Sequence, residues 1–367
     1  MLLGLKEMLA APGRAVLVLV VAAACTTASV FSASGLGMLA IKDNALSLLL
    51  GSVFADVTVT AQSPDDVDAA VDKARDIPGV ATAIPYSQQV ETVDGTNLLF
   101  FVVDDVEDLP TSPVYKGRPA HHTNEIVLGP GVEKRFAVHT GDTWTAKRNG
   151  IEKDFLVTGL ASGAPNIGNF AILTRAAYQE LAPDARLTNV GVFVTSADDS
   201  GTVSKALQDE LGSEFQVVNT RDSMAVQMGS YLSVIPLLST SLMAFNGFVV
   251  VLVVALMTSS LVAQSRRTAG LLKALGMTTR QAATRVRWTI LPPLVLGTVL
   301  GCAVGGALIR PLLEVLLSGV GIKQITVDIP QWPTLAVGAA VLLTAVAAVF
   351  LSTRPLGKVT AYSLLAE

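Results

Sequence analysis

The sequence predicts an α-helical membrane protein with four transmembrane helices and a large extracytoplasmic α+β domain, and three observations lead there. Of 367 residues only 15% are charged and 51% are apolar, with a mean hydropathy of +0.53, outside the balance of an ordinary soluble domain. Four uncharged stretches, 15–41, 232–265, 288–309 and 329–353, reach or exceed the roughly 20 residues needed to cross a hydrocarbon core about 30 Å thick. Between Gln264 and Trp288 stand six Lys or Arg and no Asp or Glu, and a short loop so biased is held on the cytoplasmic side of a bilayer.

That loop sets the expected topology. With the connection between spans two and three inside, both termini are cytoplasmic, in keeping with Lys6 and Arg14 before the first span and Arg354 and Lys358 after the last. The chain then reads as an N-terminal interfacial helix (1–14), span one (15–41), an outside domain (42–231) and span two (232–265). A cytoplasmic basic segment (266–287), span three (288–309), an outer loop (310–328), span four (329–353) and a cytoplasmic tail (354–367) follow. The expected location is the cell membrane.

Residues 1–11, apolar apart from Lys6 and Glu7, suit a short helix lying at the inner surface ahead of Pro12-Gly13-Arg14. Ser32-Ala33-Ser34-Gly35 has the small residues of a signal-peptide cleavage site. The uncharged run of 27 residues nevertheless exceeds the about 7–15 of such a leader, so span one is read as a retained anchor.

From Asp43 to Tyr231 there are 26 acidic and 13 basic residues, a formal charge of −13 against −4 for the whole chain. Nucleic acid is excluded as a partner, because its phosphates need a basic face. The two cysteines, Cys25 and Cys302, both fall in spans, so the outside domain must fold on its hydrophobic core without disulfides.

Within that domain Asp56-Val57-Thr58-Val59-Thr60 alternates like a strand. Ser63-Pro64-Asp65-Asp66 then supplies an N-cap, a proline at the first helical position and early acids for a helix running to about Asp76. A strand from Val80, a turn at Asp94-Gly95 and a strand through 98–103 form a hairpin, since Asp-Gly tolerates positive φ. Short strands at 125–129, 141–146 and 155–159, with a turn at Asn149-Gly150, read as an inserted small β lobe. A strand at 170–173, a helix near 175–181, a strand at 190–195 and a helix at 201–211 return to the α+β unit.

Its histidines, His121, His122 and His139, lack a carboxylate or cysteine at metal-ligand spacing and are read as solvated loop residues. No metal site, no Ser-His-Asp arrangement and no paired carboxylates stand out, so the chain is not expected to be an enzyme. At the entry to span two, Met224, Met228 and Tyr231 fall at i, i+4 and i+7 on one helix face, behind Arg221. By itself such a stripe is read first as packing against another helix or as an anchor at the interface.

The spans as drawn contain no ionisable residue, unlike ion-coupled carriers, and the GxxxxGK[ST] phosphate loop is absent, so a pump would need a separate ATPase. In the basic segment a short helix through Gly270–Leu275 is expected to stop at Gly276, with Thr278 and Gln281 forming a capping box for the next helix. Such a helix-turn-helix suits a protein partner or anionic lipid. In span three Pro292-Pro293 should kink or restart the helix, and Gly297, Gly301 and Gly305 let a neighbouring backbone approach.

Arg266-Arg267-Thr268-Ala269-Gly270-Leu271-Leu272-Lys273-Ala274-Leu275-Gly276-Met277-Thr278-Thr279-Arg280-Gln281 resembles the coupling segment of the FtsX/MacB-like ABC-transporter permeases. There a basic pair precedes an apolar-glycine, Leu-(Lys/Arg)-Ala-(Leu/Ile)-Gly run. The tail from Arg354 to Glu367 and the strand pattern around Gly141-Asp142 are similar to that superfamily as well. Thr268 stands in place of its common acid, and Thr360-Ala361 in place of Asp-Pro or Glu-Pro.

Leu5-Lys6-Glu7, Ser34-Gly35-Leu36, Ser230-Tyr231 and Pro236-Leu237 narrow the resemblance to the HrtB-type permeases of haem-efflux systems. The resemblance implies a homodimeric permease without ATPase motifs of its own, driven by a separate HrtA-like ATPase. That ATPase would dock at Arg266, Arg267, Gly270, Leu271, Leu272, Lys273, Leu275 and Gly276. Haem is the implied transported ligand, with no intrinsic cofactor, held by Tyr231 and Met228 with Met224 and Arg221 nearby. Rival expectations are export of another amphipathic molecule (drug, peptide or lipid) and mechanotransmission to an outside partner without transport.

Overall fold

The computed structural model describes residues 12–274, 278–324 and 332–353. Two compact units form. One comprises Met1–Ala40, Ser233–Pro311 and Ile329–Glu367, the other Ile41–Leu232 and Leu312–Asp328.

Among the described residues four helices are long and apolar enough to cross a membrane, Ala15–Leu39, Ser233–Leu256, Val286–Ser318 and Trp332–Leu351, and all but residues 312–318 of the third belong to the first unit. The third apolar helix packs its glycines directly on the first. A Cβ at Gly301 would lie 2.6 Å from both the Ala23 carbonyl and Thr26 Cβ, and one at Gly297 2.5 Å from the Leu19 carbonyl. Thr27 Oγ1 donates to the Gly301 carbonyl at 3.2 Å. The glycine spacing thus serves helix packing, by backbones brought within reach of one another.

The first apolar helix is not uniformly α-helical. After Pro12–Val30 the backbone widens into a π turn at Phe31–Leu36 before Gly37–Ala40. The Ser32 carbonyl takes a bond from Ser239 Oγ at 2.6 Å, and Ser34 Oγ pairs with Thr334 Oγ1 at 3.3 Å. Small polar residues here satisfy a backbone whose regular ladder is interrupted.

Several boundaries differ from those expected. The helix that includes span two is one element, Thr220–Ala274, so residues 270–274 continue it instead of forming a separate short helix. The helix that includes span three runs Thr279–Ser318 through Pro292, Pro293 and Pro311 without restarting. Residues 310–318 are therefore helix where an outer loop was expected, because Leu313 and Leu317 are buried and hold the extra turns in place. The longer helix also takes in Arg287, Arg310 and Glu314, so it is not free of charge; Arg287 stacks on the Phe350 ring at 3.9 Å and donates to Thr353 Oγ1 at 3.0 Å. The expected interfacial helix at 1–11, the expected helix stop at Leu275 and Gly276, and the tail from Arg354 lie outside the described residues.

The second unit is built on a ten-stranded mixed sheet. Its strands are β1 (Val57–Thr60), β2 (Val80–Val93), β3 (Thr96–Val103), β4 (Val114–Gly117), β5 (Glu125–Leu128), β6 (Thr143–Arg148), β7 (Ile151–Ala161), β8 (Phe170–Thr174), β9 (Asn189–Val194) and β10 (Gln216–Asn219). Their order is β10-β1-β9-β2-β3-β8-β5-β7-β4, with β6 paired to β7. The long β2 joins two lobes: Val80–Pro85 pairs antiparallel with β9 and Tyr86–Val93 with β3. Asp94-Gly95 and Asn149-Gly150 make the two tight hairpins, all four residues at positive φ.

Helices α1 (Lys42–Leu50), α2 (Val67–Arg75), α3 (Pro130–Phe136), α4 (Arg175–Leu181) and α5 (Ser200–Leu211) complete the unit. Val67, Ala70, Val71 and Ala74 of α2 and Val203, Leu207 and Leu211 of α5 cover β1 and β9. The β-rich lobe has its own core around Phe100, Trp144, Phe155 and Tyr178. A third cluster, with Phe101, Phe170, Tyr86 and Phe193, fills the junction of the lobes. Helices α1 and α3 and strands β4 and β10 carry no pattern that the sequence reading recognised, being four to nine residues long.

Candidate functional site

The helix bearing the Met/Tyr stripe starts at a well-built N-terminus. The Asn219 side chain accepts from the Asp222 amide at 2.9 Å and donates to the Asp222 carboxylate at 2.9 Å, tying off the first turn. Within that turn, Arg221 points inward and is only 7% exposed. Its Nη1 lies 3.3 Å from Asp56 Oδ1, its Nη2 donates to Ser47 Oγ at 2.9 Å, and its amide donates to the Asp56 carbonyl at 3.1 Å. Asp56 Oδ2 in turn accepts from the Val194 amide at 2.9 Å. Asp56 thus supplies the paired carboxylate that a buried guanidinium requires, at the residue expected to meet a propionate.

Met224 is half-buried and packs on the small cluster of Leu46, Ala225 and Phe54. Met228, one turn further, is also half-buried. Both share with Tyr231 one uninterrupted α-helical backbone, which keeps positions 224, 228 and 231 on one face. The side chain of Tyr231 and those of residues 266–273 lie outside the described residues.

At the other end of the basic segment the capping box forms. The Thr278 amide donates to Gln281 Oε1 at 2.9 Å and the Gln281 amide to Thr278 Oγ1 at 3.4 Å, starting the next helix at Thr279.

A feature absent from the sequence reading lies in the sheet-bearing unit: a cleft of about 320 Å³ whose floor is the Asp56–Arg221 pair. Ser47 and Leu48 of α1, the Pro110–Pro113 turn, Ser162 and Gly163, and Ile322 and Gln324 form its walls. These segments are far apart in the chain, so no local motif announces the cleft.

His121, His122 and His139 are exposed loop residues, as expected, and it is their backbone amides that serve structure. Glu125, 3% exposed, accepts from Arg118 Nη1 and Nη2 at 2.9 and 2.5 Å and from the His121 and His122 amides at 2.9 and 3.3 Å. The Arg118 hydrogen bonds, followed by those of the two amides, hold its carboxyl at about 2. The His121 ring sits 3.5 Å from Asp105 and 3.7 Å from Glu107. Among the described residues no group of three or more His, Cys, Asp or Glu could hold a metal ion.

Residues 240–361 match the family described as FtsX-like permease C-terminal, a span that starts inside the second apolar helix and takes in the basic segment and the last two apolar helices. No match was found among curated proteins. Among solved structures, the periplasmic region of MacB from Actinobacillus actinomycetemcomitans is 13% identical over 47% of this chain and 92% of that one, with a TM-score of 0.33. The extracellular domain of the noncanonic ABC-type transporter YknZ from Gram-positive bacteria is 13% identical over 44% and 98%, with a TM-score of 0.31. The match of residues 240–361 is thus to the C-terminal part of an FtsX-like permease, and the four apolar helices among the described residues and the large mixed-sheet unit fit a membrane protein of that kind.

Proposed function

We propose that this chain is the permease of an ABC-type efflux pump, a homodimer with both termini in the cytoplasm, driven by two copies of a separate HrtA-like ATPase and exporting haem from the outer leaflet. The observation that carries the reading is the single helix Thr220–Ala274, which bears Met224, Met228 and Tyr231 near its start and the basic coupling segment at its end. One helix of 55 residues, continuous through Pro236, links the two ends, so a displacement at one can be carried to the other. Closure of the ATPase against residues 266–276 would in this way reach the Met/Tyr face.

Arg221 contributes by fixing the start of the helix to Asp56, so that the face has a defined position. Met228 and Tyr231 are the proposed iron ligands, thioether and phenolate, with Met224 supporting them from its packed position. The porphyrin ring would lie in the apolar phase and its propionates in water. A ligand that has already partitioned into the outer leaflet needs no wide polar pore.

The same helix also suits mechanotransmission, in which the outside domain acts on a partner and nothing is exported. The test is visible spectroscopy of haem added to the nanodisc-held permease, together with recovery of an ATPase when the tagged chain is purified from its own host. Tyr231→Phe keeps the ring and removes the oxygen, so it should shift the bound-haem spectrum, and Met228→Leu should weaken binding about tenfold. An unchanged spectrum and affinity in both variants and in the double variant would remove haem from the reading. An ATPase that still co-purifies would then leave export of another amphiphile, or mechanotransmission.

A further inference from the structure

The Asp56–Arg221 cleft belongs wholly to the sheet-bearing unit, and the efflux reading leaves it without a ligand. Its volume of about 320 Å³ lies at the low end of small-molecule sites. At about 30 Å³ per molecule it would hold roughly ten waters, room for a single sugar-sized ring.

Charge narrows the ligand first. Asp56 and Arg221 are the two charged side chains that line the cleft, and they neutralise each other across 3.3 Å. A phosphate or carboxylate would compete with Asp56 for Arg221, and an ammonium group with Arg221 for Asp56. Either would leave a buried charge without its partner. An uncharged ligand keeps the pair intact.

The backbone narrows it again. At the walls the Gly51 amide donates to the Ser47 carbonyl at 3.1 Å, Ser162 to Pro113 at 2.8 Å and Gly163 to Gly321 at 3.1 Å. The Val194 amide is taken by Asp56 Oδ2 at 2.9 Å and the Gln324 amide by Ser162 Oγ at 3.0 Å. Pro110 and Pro113 have no N–H to give. A peptide strand, which binds through a run of main-chain hydrogen bonds, finds no such run here.

Side-chain hydroxyl and amide groups are what the cleft offers. Among the described residues the Ser52 and Thr111 hydroxyls and the Gln324 carboxamide, from three separate segments, have no hydrogen-bond partner. Each of these groups both donates and accepts, so each can pair with a ligand hydroxyl in either sense. The Asp56 carboxylate has about four lone-pair sites and can accept a ligand O–H beside Arg221 and the Val194 amide. Phe54 and Phe193 line the same cavity and give the C–H face of a ring an apolar surface to cover. The walls are set before a ligand arrives: Ser162 Oγ also holds the Lys323 amide at 2.8 Å, and a Cβ on Gly321 would stand 2.5 Å from the Gly163 carbonyl. Preorganised walls lower the ordering cost of binding.

We propose that this cleft is a binding site for one uncharged sugar ring, met as a free sugar, as the end of a glycan or as the headgroup of a glycolipid. Ser52, Thr111, Gln324 and Asp56 read its hydroxyls, and Phe54 and Phe193 cover its C–H face. The site depends on neither haem nor ATP, so its failure leaves the efflux reading as it stands.

The experiment is saturation-transfer NMR on the nanodisc-held chain, with glucose and N-acetylglucosamine as probes and empty nanodiscs as the blank. A neutral ligand of this size should bind with a Kd of about 1 mM. Thr111→Val, which keeps the shape and removes one hydroxyl, and Ser52→Ala should each weaken binding about three- to tenfold with an unchanged urea midpoint. Ala197→Trp, on the cleft wall, should abolish the signal. Displacement of the probe by a glucosyl lipid in the disc identifies the headgroup as the source, displacement by a soluble glucan the glycan end, and displacement by neither the free sugar. No signal from either probe at about 50 mM overturns the site, as does equal binding in wild type, Thr111→Val and Ser52→Ala. Tighter binding of glucose 6-phosphate than of glucose overturns the argument from the neutral pair.

Discussion

Replacing Asp56 by Ala tests the structural assignment of Arg221. The change removes the carboxylate 3.3 Å from a guanidinium that is 7% exposed, and it also takes away the acceptor of the Val194 amide. Breaking a buried pair from one side costs about 3–5 kcal/mol, and an orphaned buried amide about 1–3 kcal/mol. The Ser47 hydroxyl and water admitted through the adjoining cleft relieve part of this, which brings the expected loss to about 3 kcal/mol. The assay is urea unfolding of the nanodisc-held chain, followed by fluorescence of Trp144 in the sheet-bearing unit after Trp288→Phe and Trp332→Phe. Adding Arg221→Met to Asp56→Ala removes the orphaned charge and should recover about 1 kcal/mol or more, a non-additive result. A loss under about 1 kcal/mol in Asp56→Ala, or strict additivity of the two changes, would refute the argument that this pair anchors the helix start.

Glu125→Gln should show the acid sensitivity of the Arg118 pair. The carboxyl is held at about 2 against an ordinary value near 4.5, so its contribution is full above about pH 4.5 and is lost as pH falls toward about 2. At neutral pH it is worth at most about 3 kcal/mol, less after solvent screening of the half-exposed Arg118, and the gap between wild type and Glu125→Gln in urea midpoint should close below about pH 3. Gly301→Ala should lower the thermal unfolding temperature in detergent, since its Cβ would stand 2.6 Å from the Ala23 carbonyl, at a cost of about 1–3 kcal/mol. Gly306→Ala, whose Cβ meets nothing nearer than 4.0 Å, should leave that temperature unchanged, and equal effects at the two positions would contradict the packing of the first and third apolar helices.

The apolar spans, the Asp94-Gly95 and Asn149-Gly150 hairpins, helix α4 and the Thr278/Gln281 capping box could all be read in the sequence. Each depends on residues close together in the chain: a run of apolar side chains, a dipeptide that accepts positive φ, or two side chains three residues apart. The coincidence of Met224, Met228 and Tyr231 on one face is of the same kind, because helical periodicity alone decides it. What Arg221 does was not legible, since its partners Asp56 and Ser47 lie 165 and 174 residues away. The extension of the third apolar helix to Ser318 was hidden by Arg310, Pro311 and Glu314, whose charge and imino ring read as loop until burial of Leu313 and Leu317 offsets them. The cleft arises only when α1, residues 110–113, the residues after β7 and the segment after Ser318 are brought together. Sequence alone determined the elements with a local energetic cause, and tertiary structure decided whatever depends on buried charge, backbone approach and strain, because those costs exist only once distant segments exclude water from one another.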